Sequence, residues 1–473
     1  MCELEYNARP RRRDDRLRKP YIRKKSWIAE IAAIAAIGVP ALLAAPPAAA
    51  GDDRPSVLVI TVDALRADHL GIYGYSRPTS PTIDRLMSEG LLFERAWTPE
   101  PLTGPAMCSM LTGMPPHLHA ATRNGLRMEA GLDSLPKTLA GKGWSTAGFI
   151  GAWTLKNNLT LLGDHFETYG ERLRRRRWFG VLNSEASGED LTDDALEWAE
   201  RHHEKDGERP FFLWVHYIEP HAPYRFHKEY AERLGVNEDK LTRVDRYDTE
   251  IAAVDESIRR LLEGIKKLMA DDNLLIVFTA DHGESLGEHN YWGHGRYLYE
   301  PSLRIPLGIV WKGRIRPGAA SSQATLLDLA PTLFDLVGVA AAGELAGRSW
   351  ATAARGGEAP PERTHCYQAH RGAVHGGTHD NDQKRSKGLL SVGVIDGDRK
   401  EILRIIGKEH LSFDLAEDPL ELDNMVTIDS SPSDALLECL GSVSQALGAL
   451  DRLATQKLDD ETVEQLKALG YLE

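Results

Sequence analysis

The stretch Ser56-Val57-Leu58-Val59-Ile60-Thr61-Val62-Asp63 decides the fold that the sequence predicts. An uncharged, largely β-branched run of this kind is typical of a strand that is covered on both faces, and here an acidic residue follows it directly. Two later segments repeat the pattern: Phe211–Val215 runs into His216, and Leu274–Thr279 leads into Asp281-His282-Gly283-Glu284. Helical stretches separate the three runs, which favours a parallel α/β sheet.

We therefore predict an α/β fold with a doubly wound, mostly parallel central sheet and a smaller C-terminal antiparallel α+β layer. Helices are expected at Asp190–Lys205, Asp248–Leu268 and Thr462–Leu469. Short strands of the smaller layer are expected at Leu389–Ile395, Glu401–Ile406 and His410–Asp414. The Ala-, Gly- and Pro-rich range Ala340–Pro361 is typical of a linker, and the polar range His370–Lys387 is typical of a mobile loop.

The N-terminus carries an export signal. Arg9 to Lys25 is strongly basic, and Trp27 to Ala50 is apolar apart from Glu30 and closes on small residues. A basic flank before an apolar run of this length indicates either a cleaved signal peptide or a retained membrane anchor. The sequence thus divides into residues 1–51 as signal or anchor, 52–345 as a catalytic domain and 346–473 as a smaller C-terminal subdomain. The catalytic body is expected to be periplasmic or secreted.

Charge and cysteine content narrow the class of protein. The formal net charge is -13, which excludes a general nucleic-acid binder because a polyanion would be repelled. The basic run Arg172–Arg177 is interpreted as a solvated or anion-facing loop. Four widely spaced cysteines, without a CxxC pair, suggest neither a zinc cluster nor a disulfide framework: Cys2, Cys108, Cys366 and Cys439.

The polar residues at the strand ends predict a metal site. Asp63, Asp281 and His282 supply two carboxylates and an imidazole, which suit Zn, Mn or Mg and, with added oxygens, Ca. The carboxyl ends of parallel strands share one edge of a sheet, so residues that are distant in sequence meet there. Polar groups at buried strand ends need partners, and one cation supplies a partner for all three. We expect one divalent ion.

A nucleophile is expected beside that ion. In Thr103-Gly104-Pro105-Ala106-Met107 the threonine is a good helix N-cap, and Pro105 lies in the first turn, where a missing N–H costs nothing. The hydroxyl of Thr103 would then stand at a helix N-terminus, which favours a tetrahedral anion. Taken alone, the segment would favour a plain capping threonine.

Together these segments resemble the sulfatase family of the alkaline-phosphatase superfamily. The resemblance rests on an ordered set of motifs between about Pro55 and Glu473: Thr61–Tyr75, Ser109–His119, Pro220–Tyr224, Thr279–Glu284, Trp292–Arg296, Phe413–Leu422 and Leu469–Leu472. It implies an alkaline-phosphatase-like fold and an esterase acting on sulfuric or phosphoric esters. It also implies that His221 and His294 contact the anion or protonate the leaving group, and that Arg296 contacts the anion. Asp68, His69, His119 and His216 belong to the motifs but are expected to be structural.

The sequence departs from the family pattern at the nucleophile. Sulfatases use a Cys or Ser of a C/S-x-P-x-R motif that is oxidised to formylglycine, whereas here that position is Thr103 and Met107 replaces the Arg. The family's second opening Asp is Ala64, and a sulfate-binding Lys and His are replaced by Ala152 and Thr154. We therefore expect no formylglycine. Relatives with a threonine and an Asp-His pair are phosphoester or phosphonoester hydrolases or phospho-transferases.

The sequence thus predicts an exported, metal-dependent hydrolase of anionic esters. Thr103, His221 and His294 are the candidate catalytic residues. Asp63, Thr103, Asp281 and His282 are the candidate metal ligands, and His221, His294 and Arg296 are the candidate substrate contacts. One alternative is a phosphodiesterase or phospho-group transferase acting on envelope lipids or glycans, for which residues 27–50 would provide membrane association. A second alternative is a non-catalytic anion-binding relative.

Overall fold

The computed structural model describes residues 54–177, 182–207, 209–269, 273–372 and 388–451. The predicted export segment, Cys2, the core of the predicted mobile loop and the helix expected at Thr462–Leu469 lie outside these ranges. Within them, no helix combines the length and the apolar character that crossing a bilayer requires.

The strands of the described ranges are, in chain order, β1 (Ser56–Val62), β2 (Leu91–Phe93), β3 (Ala96–Trp97), β4 (Ser145–Ile150), β5 (Thr168–Gly170), β6 (Arg175–Arg177), β7 (Leu182–Glu185), β8 (Phe211–Tyr217), β9 (Leu274–Ala280), β10 (Ser285–Leu286), β11 (Trp292–Gly293), β12 (Leu307–Trp311), β13 (Gly318–Ala320), β14 (Ala324–Thr325), β15 (His365–His370), β16 (Leu389–Asp396), β17 (Arg399–Arg404) and β18 (Glu409–Asp414).

The α-helices of the same ranges are α1 (Pro81–Ser88), α2 (Thr103–Thr112), α3 (Pro116–His119), α4 (Leu135–Ala140), α5 (Asn157–Thr160), α6 (Gly188–Asp206), α7 (Ala231–Leu234), α8 (Arg243–Leu268), α9 (Glu300–Leu303), α10 (Leu329–Val337), α11 (Ala351–Ala354) and α12 (Asp434–Leu450).

The central sheet runs in the order β13-β2-β12-β9-β1-β8-β4-β5. β1 lies between β9 and β8 and pairs in parallel with both, while β12 pairs antiparallel with β9 and β2. Every residue of β1 is buried, as expected for an apolar strand covered on both faces. One group of packed helices comprises α1, α6 and α8, and a second comprises α2, α4 and α10. The predicted doubly wound, mostly parallel sheet is confirmed.

The C-terminal layer is an antiparallel sheet in the order β15-β16-β17-β18, against which α12 packs. Three of its strands were predicted, whereas β15 was not, because its sequence His-Cys-Tyr-Gln-Ala-His has no apolar alternation. A buried ion cluster holds this sheet against α9: Lys400 Nζ lies 2.9 Å from Glu300 Oε1 and 2.7 Å from Glu421 Oε1. Removal of one partner from such a cluster leaves an uncompensated buried charge.

Two predicted loops are more ordered than expected. The predicted linker Ala340–Pro361 contains α11, and Trp350 is buried in an edge-to-face contact with Phe93, with 4.9 Å between the ring centroids. One large aromatic side chain therefore anchors a segment whose composition suggested a linker. In the basic run, Arg174 forms ion pairs with Asp190 and Asp194 in α6, so its charge is compensated inside the protein.

The structure corrects the prediction for the cysteines. Cys366 of β15 and Cys439 of α12 form a disulfide, with a sequence separation of 73 and 5.7 Å between their Cα atoms. Their separation in sequence gave no indication of pairing, since only the packing of α12 on the C-terminal sheet brings them together. Among the described cysteines, Cys108 remains a free and buried thiol.

The disulfide closes a long loop, so we expect it to stabilise the C-terminal layer. Reduction should lower the free energy of unfolding by about 4 kcal/mol, chiefly because the unfolded chain gains entropy. Urea denaturation with and without reductant measures the difference. The double variant Cys366→Ser/Cys439→Ser is the control, since reductant should not change it. An unchanged curve after complete reduction of the wild type would contradict the prediction.

His119 joins α3 to α2 by two hydrogen bonds that require an uncharged ring. Its Nδ1 accepts from the N–H of Ala121 at 3.1 Å, and its Nε2 lies 2.9 Å from Ser109 Oγ. Burial lowers the pKa of His119 to about 3. This histidine is structural, as expected. Protonation of its Nδ1 in acid must break the hydrogen bond from the N–H of Ala121.

We predict a loss of stability in acid that depends on His119. Its folded pKa lies below the ordinary value, so its contribution is present above pH 6.5 and is lost as the pH falls toward 3. Between pH 7 and pH 5 the loss should be about 2 kcal/mol. The His119→Asn variant retains an acceptor for the N–H of Ala121. It should remove the part of the pH dependence of the free energy of unfolding that His119 causes. The exposed His203→Asn should leave the slope unchanged, and an equal slope in all three proteins would refute the assignment.

Candidate metal-centred active site

The register of the central sheet brings Asp63 and Asp281 together. Val62 of β1 lies opposite Ala280 of β9, so the next residue on each strand is a carboxylate at the same edge. Asp63 donates its N–H to Tyr217 O of β8 at 2.9 Å, and Asp281 Oδ1 accepts from the N–H of Ala64 at 3.0 Å. Both carboxylates are buried, with 1% and 0% of their surface exposed. The predicted convergence at the carboxyl edge is therefore observed.

His216 of β8 belongs to the same group, although the sequence analysis assigned it a structural role. Its Nδ1 lies 2.8 Å from Thr61 Oγ1, which also accepts from Trp214 Nε1 at 2.9 Å. With Nδ1 held in this way, Nε2 is the nitrogen that faces Asp63, at 3.5 Å from Oδ2. Asp63, His216 and Asp281 offer one ligand atom each, all within 4.8 Å of one another.

The Nε2 atom of His282 faces three oxygen atoms with its lone pair. Its Nδ1 lies 2.8 Å from Gly283 O, and because a carbonyl only accepts, Nδ1 is the protonated nitrogen. Its Nε2 lies 3.2 Å from Asp281 Oδ2, 3.7 Å from Asp63 Oδ1 and 3.5 Å from Thr103 Oγ1. Burial lowers the pKa of both His282 and His216 to about 4, so both rings are uncharged at neutral pH.

This donor set fits a divalent cation. Two buried carboxylates and two imidazole lone pairs repel one another unless a positive charge lies between them. Among the described residues, Asp281 Oδ2 and His216 Nε2 have no hydrogen-bond partner. Carboxylate and imidazole ligands suit Zn or Mn, and the hard oxygens also suit Mg or Ca. Asp63, His216, Asp281 and His282 are the residues that would hold the ion.

We predict that Asp281→Asn weakens metal binding and stabilises the metal-free protein. Asparagine keeps an oxygen for the N–H groups of Ala64 and His282 but removes a buried charge. At metal concentrations about 100 times the dissociation constant, the wild type should gain about 2.7 kcal/mol, and the variant much less. Thermal unfolding after chelation and after addition of Mn²⁺ measures both effects, with the exposed Asp193→Asn as control. Equal stabilisation of all three proteins would exclude Asp281 as a ligand.

The structure corrects the expected helix start at Thr103. The N-cap of α2 is Leu102, so Thr103 is the first helical residue and its hydroxyl does not cap the helix. Asn124 instead caps from outside, since its Oδ1 accepts from the N–H of Gly104 at 2.9 Å. The Thr103 hydroxyl is fully buried and faces His282 Nε2.

His294 and His221 lie on the other side of His282. The ring centroids of His282 and His294 are 4.1 Å apart, and those of His294 and His221 are 5.1 Å apart. His294 Nδ1 lies 3.1 Å from Glu284 Oε1. Burial alone lowers the pKa of His294, but the Glu284 carboxylate outweighs it, so the pKa is raised overall. His221 Nδ1 donates to Ala222 O at 2.7 Å, which leaves Nε2 as the acceptor of the neutral ring.

Gly295 lets the loop that carries His294 pack on the segment that precedes Thr103. Its φ is +81°, and a Cβ there would lie 2.6 Å from Leu102 Cδ2, so only glycine lets this loop pack on the nucleophile segment. Arg296, the predicted anion contact, has an exposed side chain. Burial raises the pKa of the Tyr291 hydroxyl, and the positive charge of Arg296 opposes that rise. The structure thus brings Asp63, Thr103, Asp281, His282, His294 and His221 together, with Arg296 outside that group.

Two further residues at the site were missed by sequence reasoning. Glu284 is fully buried and lies 3.1 Å from His294 through Oε1. Burial, together with the Glu284 carboxylate, raises the pKa of Tyr224. Its place in the Asp281–Glu284 motif was the available signal. Asn124 carries a buried Nδ2 that has no hydrogen-bond partner among the described residues. No strand end or motif spacing pointed to Asn124.

The remaining motif residues form supporting contacts. Asp68 accepts two hydrogen bonds from Arg66, at 2.9 and 2.7 Å, and His69 Nδ1 lies 2.8 Å from Asp248 Oδ1. These contacts agree with the structural roles expected for Asp68 and His69.

Family models match most of the folded chain. A sulfatase model matches residues 55–339, and a model of the C-terminal part of N-sulphoglucosamine sulphohydrolase matches residues 287–437. The chain is 24% identical over 397 residues to an N-acetylglucosamine-6-O-sulfatase of Bacteroides thetaiotaomicron, covering 63% of this chain and 70% of the relative. It is 28% identical over 349 residues to an N-acetylgalactosamine-6-sulfatase of Canis lupus familiaris, covering 62% of this chain and 64% of the relative.

The fold also matches solved structures. The phosphonate monoester hydrolase of Agrobacterium radiobacter is similar with a TM-score of 0.63 and 21% identity, over 84% of this chain and 96% of the hydrolase. At this identity, the similarity supports the fold. It agrees with the mostly parallel sheet and the smaller antiparallel layer described above.

Proposed function

Because the chain belongs to the sulfatase family, we propose that it is an exported, metal-dependent hydrolase of sulfate esters that uses Thr103 as its nucleophile. The prediction of a sulfatase-family enzyme is confirmed by the family match over residues 55–339. The observation that carries the proposal is the position of the Thr103 hydroxyl, which is buried, does not cap its helix and lies 3.5 Å from His282 Nε2.

The side chains around Thr103 favour a substrate with a single negative charge. Met107, Ala152 and Thr154 are buried and neutral, at positions where the family places an Arg, a Lys and a His. A dianionic phosphate monoester would need those cations, because a buried charge is costly unless it is compensated. A sulfate monoester carries one negative charge, as does a phosphate diester. The neutral surroundings thus support sulfate monoesters or phosphate diesters over phosphate monoesters.

The proposed reaction has two steps. Thr103 loses its proton to water, its oxygen attacks sulfur in line, a Thr–O–S bond forms and the S–O bond to the alcohol breaks. The alcohol leaves with a proton from the charged form of His294 or His221. Water then cleaves the Thr103 sulfate ester, releasing sulfate and restoring the hydroxyl. A divalent cation, when bound, lowers the pKa of a hydroxyl and offsets charge on the ester oxygens.

His294 and His221 are suited to protonating the leaving group. Glu284 raises the pKa of His294, which favours the charged, proton-donating form of the ring. His221 is held by Ala222 O, so its Nε2 is presented at a fixed angle. The amide N–H groups at the start of α2, of which Asn124 binds one, stabilise an anion at the helix N-terminus. In this proposal the candidate metal ligands Asp63, His216, Asp281 and His282 (the metal group), the nucleophile and the proton donors act on one reacting centre.

A phosphodiesterase or phospho-group transferase is the second candidate. Thr103 and the Asp281-His282 pair favour it, since a threonine cannot expel sulfate by collapse to an aldehyde as a formylglycine hydrate does. The similar phosphonate monoester hydrolase shows that this fold serves phosphorus chemistry in that protein. A transferase would form product only in the presence of an acceptor alcohol.

Export is supported by two features of the chain. The basic-then-apolar segment between Arg9 and Ala50 is typical of a signal or anchor. The Cys366–Cys439 disulfide is of a kind that persists in oxidising compartments such as the periplasm or the extracellular space.

We predict that Thr103→Ala abolishes turnover. Purified protein is assayed on nitrophenyl sulfate, a nitrophenyl phosphate diester and a nitrophenyl phosphate monoester, with metal removed and restored. The wild type should be most active on the sulfate and least active on the phosphate monoester, and Thr103→Ala should lower kcat by roughly a thousandfold or more. Thr103→Ser should retain part of the activity.

Thr112→Ala is the matched control. Thr112 lies on the same helix, but its hydroxyl donates to Cys108 O, away from the metal group. Its removal should leave kcat nearly unchanged. Undiminished activity of Thr103→Ala would exclude the nucleophile, and preference for the diester would favour the second candidate. Metal binding without turnover on any ester would indicate a non-catalytic anion-binding relative.

A further inference from the structure

A buried tyrosine of α8 reaches the residue that follows the metal ligand Asp63. One buried stripe of α8 repeats at helical spacing: Tyr247, Ile251, Val254, Ile258, Leu261 and Ile265. Tyr247 is the member of this stripe that carries a polar group, and it has 0% of its surface exposed. Its hydroxyl therefore needs partners inside the protein. Burial raises the pKa of Tyr247 well above its ordinary value, so the hydroxyl keeps its proton and can donate it.

The hydroxyl of Tyr247 bridges two backbone groups of the turn after Asp63. It donates to Ala64 O at 2.7 Å and accepts from the N–H of Arg66 at 2.9 Å. Ala64 has a φ of +55°, in the left-handed region that is unfavourable for a residue with a Cβ. The two hydrogen bonds satisfy both backbone groups while the chain keeps this turn, so they offset the strain at Ala64.

The turn at Ala64 determines which oxygen of Asp281 faces the other candidate ligands. The N–H groups of Ala64 and His282 both donate to Asp281 Oδ1, at 3.0 and 2.7 Å. Asp281 Oδ2 has no hydrogen-bond partner among the described residues and lies 3.2 Å from His282 Nε2. The N–H of Ala64 thus occupies one carboxylate oxygen and leaves the other to bind a cation. This arrangement depends on the left-handed conformation of Ala64.

The ring of Tyr247 is held separately from its hydroxyl. Its centroid lies 5.1 Å from that of His69 and 5.4 Å from that of Tyr224, both in edge-to-face contacts. His69 is itself fixed, because its Nδ1 lies 2.8 Å from Asp248 Oδ1. The Tyr247→Phe variant therefore keeps the packing of the ring and removes only the two hydrogen bonds to the turn.

We propose that Tyr247 is a positioning residue of the metal group: its hydroxyl holds Ala64 in the left-handed conformation and thereby sets the affinity of the site for a divalent cation. The proposal rests on the proposed function, since it concerns the metal group of that reaction. Groups that orient metal ligands without touching the ion typically contribute about 10- to 100-fold to affinity. A tyrosine that only supports the fold would leave the dissociation constant of the metal unchanged.

The test compares the full-length wild type with Tyr247→Phe in calorimetric titrations of the chelator-treated proteins with Mn²⁺. We expect the dissociation constant to rise about tenfold or more, because Ala64 can then leave the left-handed region and its N–H moves away from Asp281. Adding Ala64→Gly should recover about fivefold of that loss, since glycine adopts a positive φ without a side-chain penalty. Ala64→Gly alone should change the dissociation constant by less than about twofold.

Tyr73→Phe is the matched control. The Tyr73 hydroxyl makes the same pair of hydrogen bonds, since it donates to Phe93 O at 2.8 Å and accepts from the N–H of Leu307 at 3.0 Å. These bonds join β2 to β12 and involve neither the turn at Ala64 nor the metal group. Both Phe variants should lower the melting temperature of the metal-free protein by about 1 to 4 °C. Tyr73→Phe should leave the Mn²⁺ dissociation constant within about twofold of the wild type.

Equal Mn²⁺ dissociation constants of the wild type and Tyr247→Phe would overturn the role of Tyr247. An equal rise in Tyr73→Phe, or a glycine at position 64 that recovers nothing, would do the same. If Tyr247→Phe does not fold, Tyr247→Phe/Ala64→Gly is compared with Tyr73→Phe/Ala64→Gly, where the glycine is common to both. The Tyr247 pair should then bind Mn²⁺ about threefold more weakly, and equal constants would again overturn the proposal.

Metal binding decides the role of Tyr247 whether or not any ester is cleaved. A wild type that binds Mn²⁺ but hydrolyses no sulfate ester would contradict the proposed function, while the loss of affinity in Tyr247→Phe would still support the positioning role. A wild type that binds no Mn²⁺ would overturn the metal group and, with it, the role of Tyr247.

Discussion

The site depends on one electrostatic constraint, the burial of two carboxylates beside two uncharged imidazoles. The parallel pairing of β1 with β9 leaves Asp63 and Asp281 side by side, and β8 adds His216 from the other flank of β1. Gly283 O fixes the proton of His282 on Nδ1, so its Nε2 lone pair faces the same point. Such a set is unfavourable without a cation and becomes a strong ligand shell with one. The apolar strands thus provide precise positions and low polarity, and a divalent cation would provide the missing charge.

The same constraint explains the unusual start of α2. A threonine at a helix N-terminus normally caps its own helix, but here Asn124 takes that role and leaves the Thr103 hydroxyl directed at the metal group. The residues around it are neutral where the family has cations, so a bound cation would supply most of the positive charge, and the Glu284 carboxylate raises the pKa of His294. This distribution suits a singly charged ester and links the substitution of the nucleophile to the choice of substrate.

The sequence predicted whatever depends on local pattern. The three apolar runs and the residues that end them are encoded within single segments, so the central sheet and the positions of Asp63, Asp281 and His282 follow from the sequence alone. Contacts between distant segments could not be read in this way. His216 looked structural because its partners Thr61 and Asp63 belong to another strand, and Cys366 and Cys439 are joined only by the packing of α12 on the C-terminal sheet. β15 escaped prediction because its polar side chains are satisfied by Glu100 rather than by solvent.

The C-terminal sheet is joined to the segment that carries Thr103. Its strands are tied to the catalytic body by the buried ion cluster of Lys400, Glu300 and Glu421 and by the hydrogen bonds between β15 and Glu100. The proposed reaction chemistry lies with the edge of the central sheet and the start of α2. β15 supports that start from outside, because Glu100, three residues before Thr103, is hydrogen-bonded to Gln368 and His370. The position proposed for the nucleophile therefore depends on contacts from both sheets.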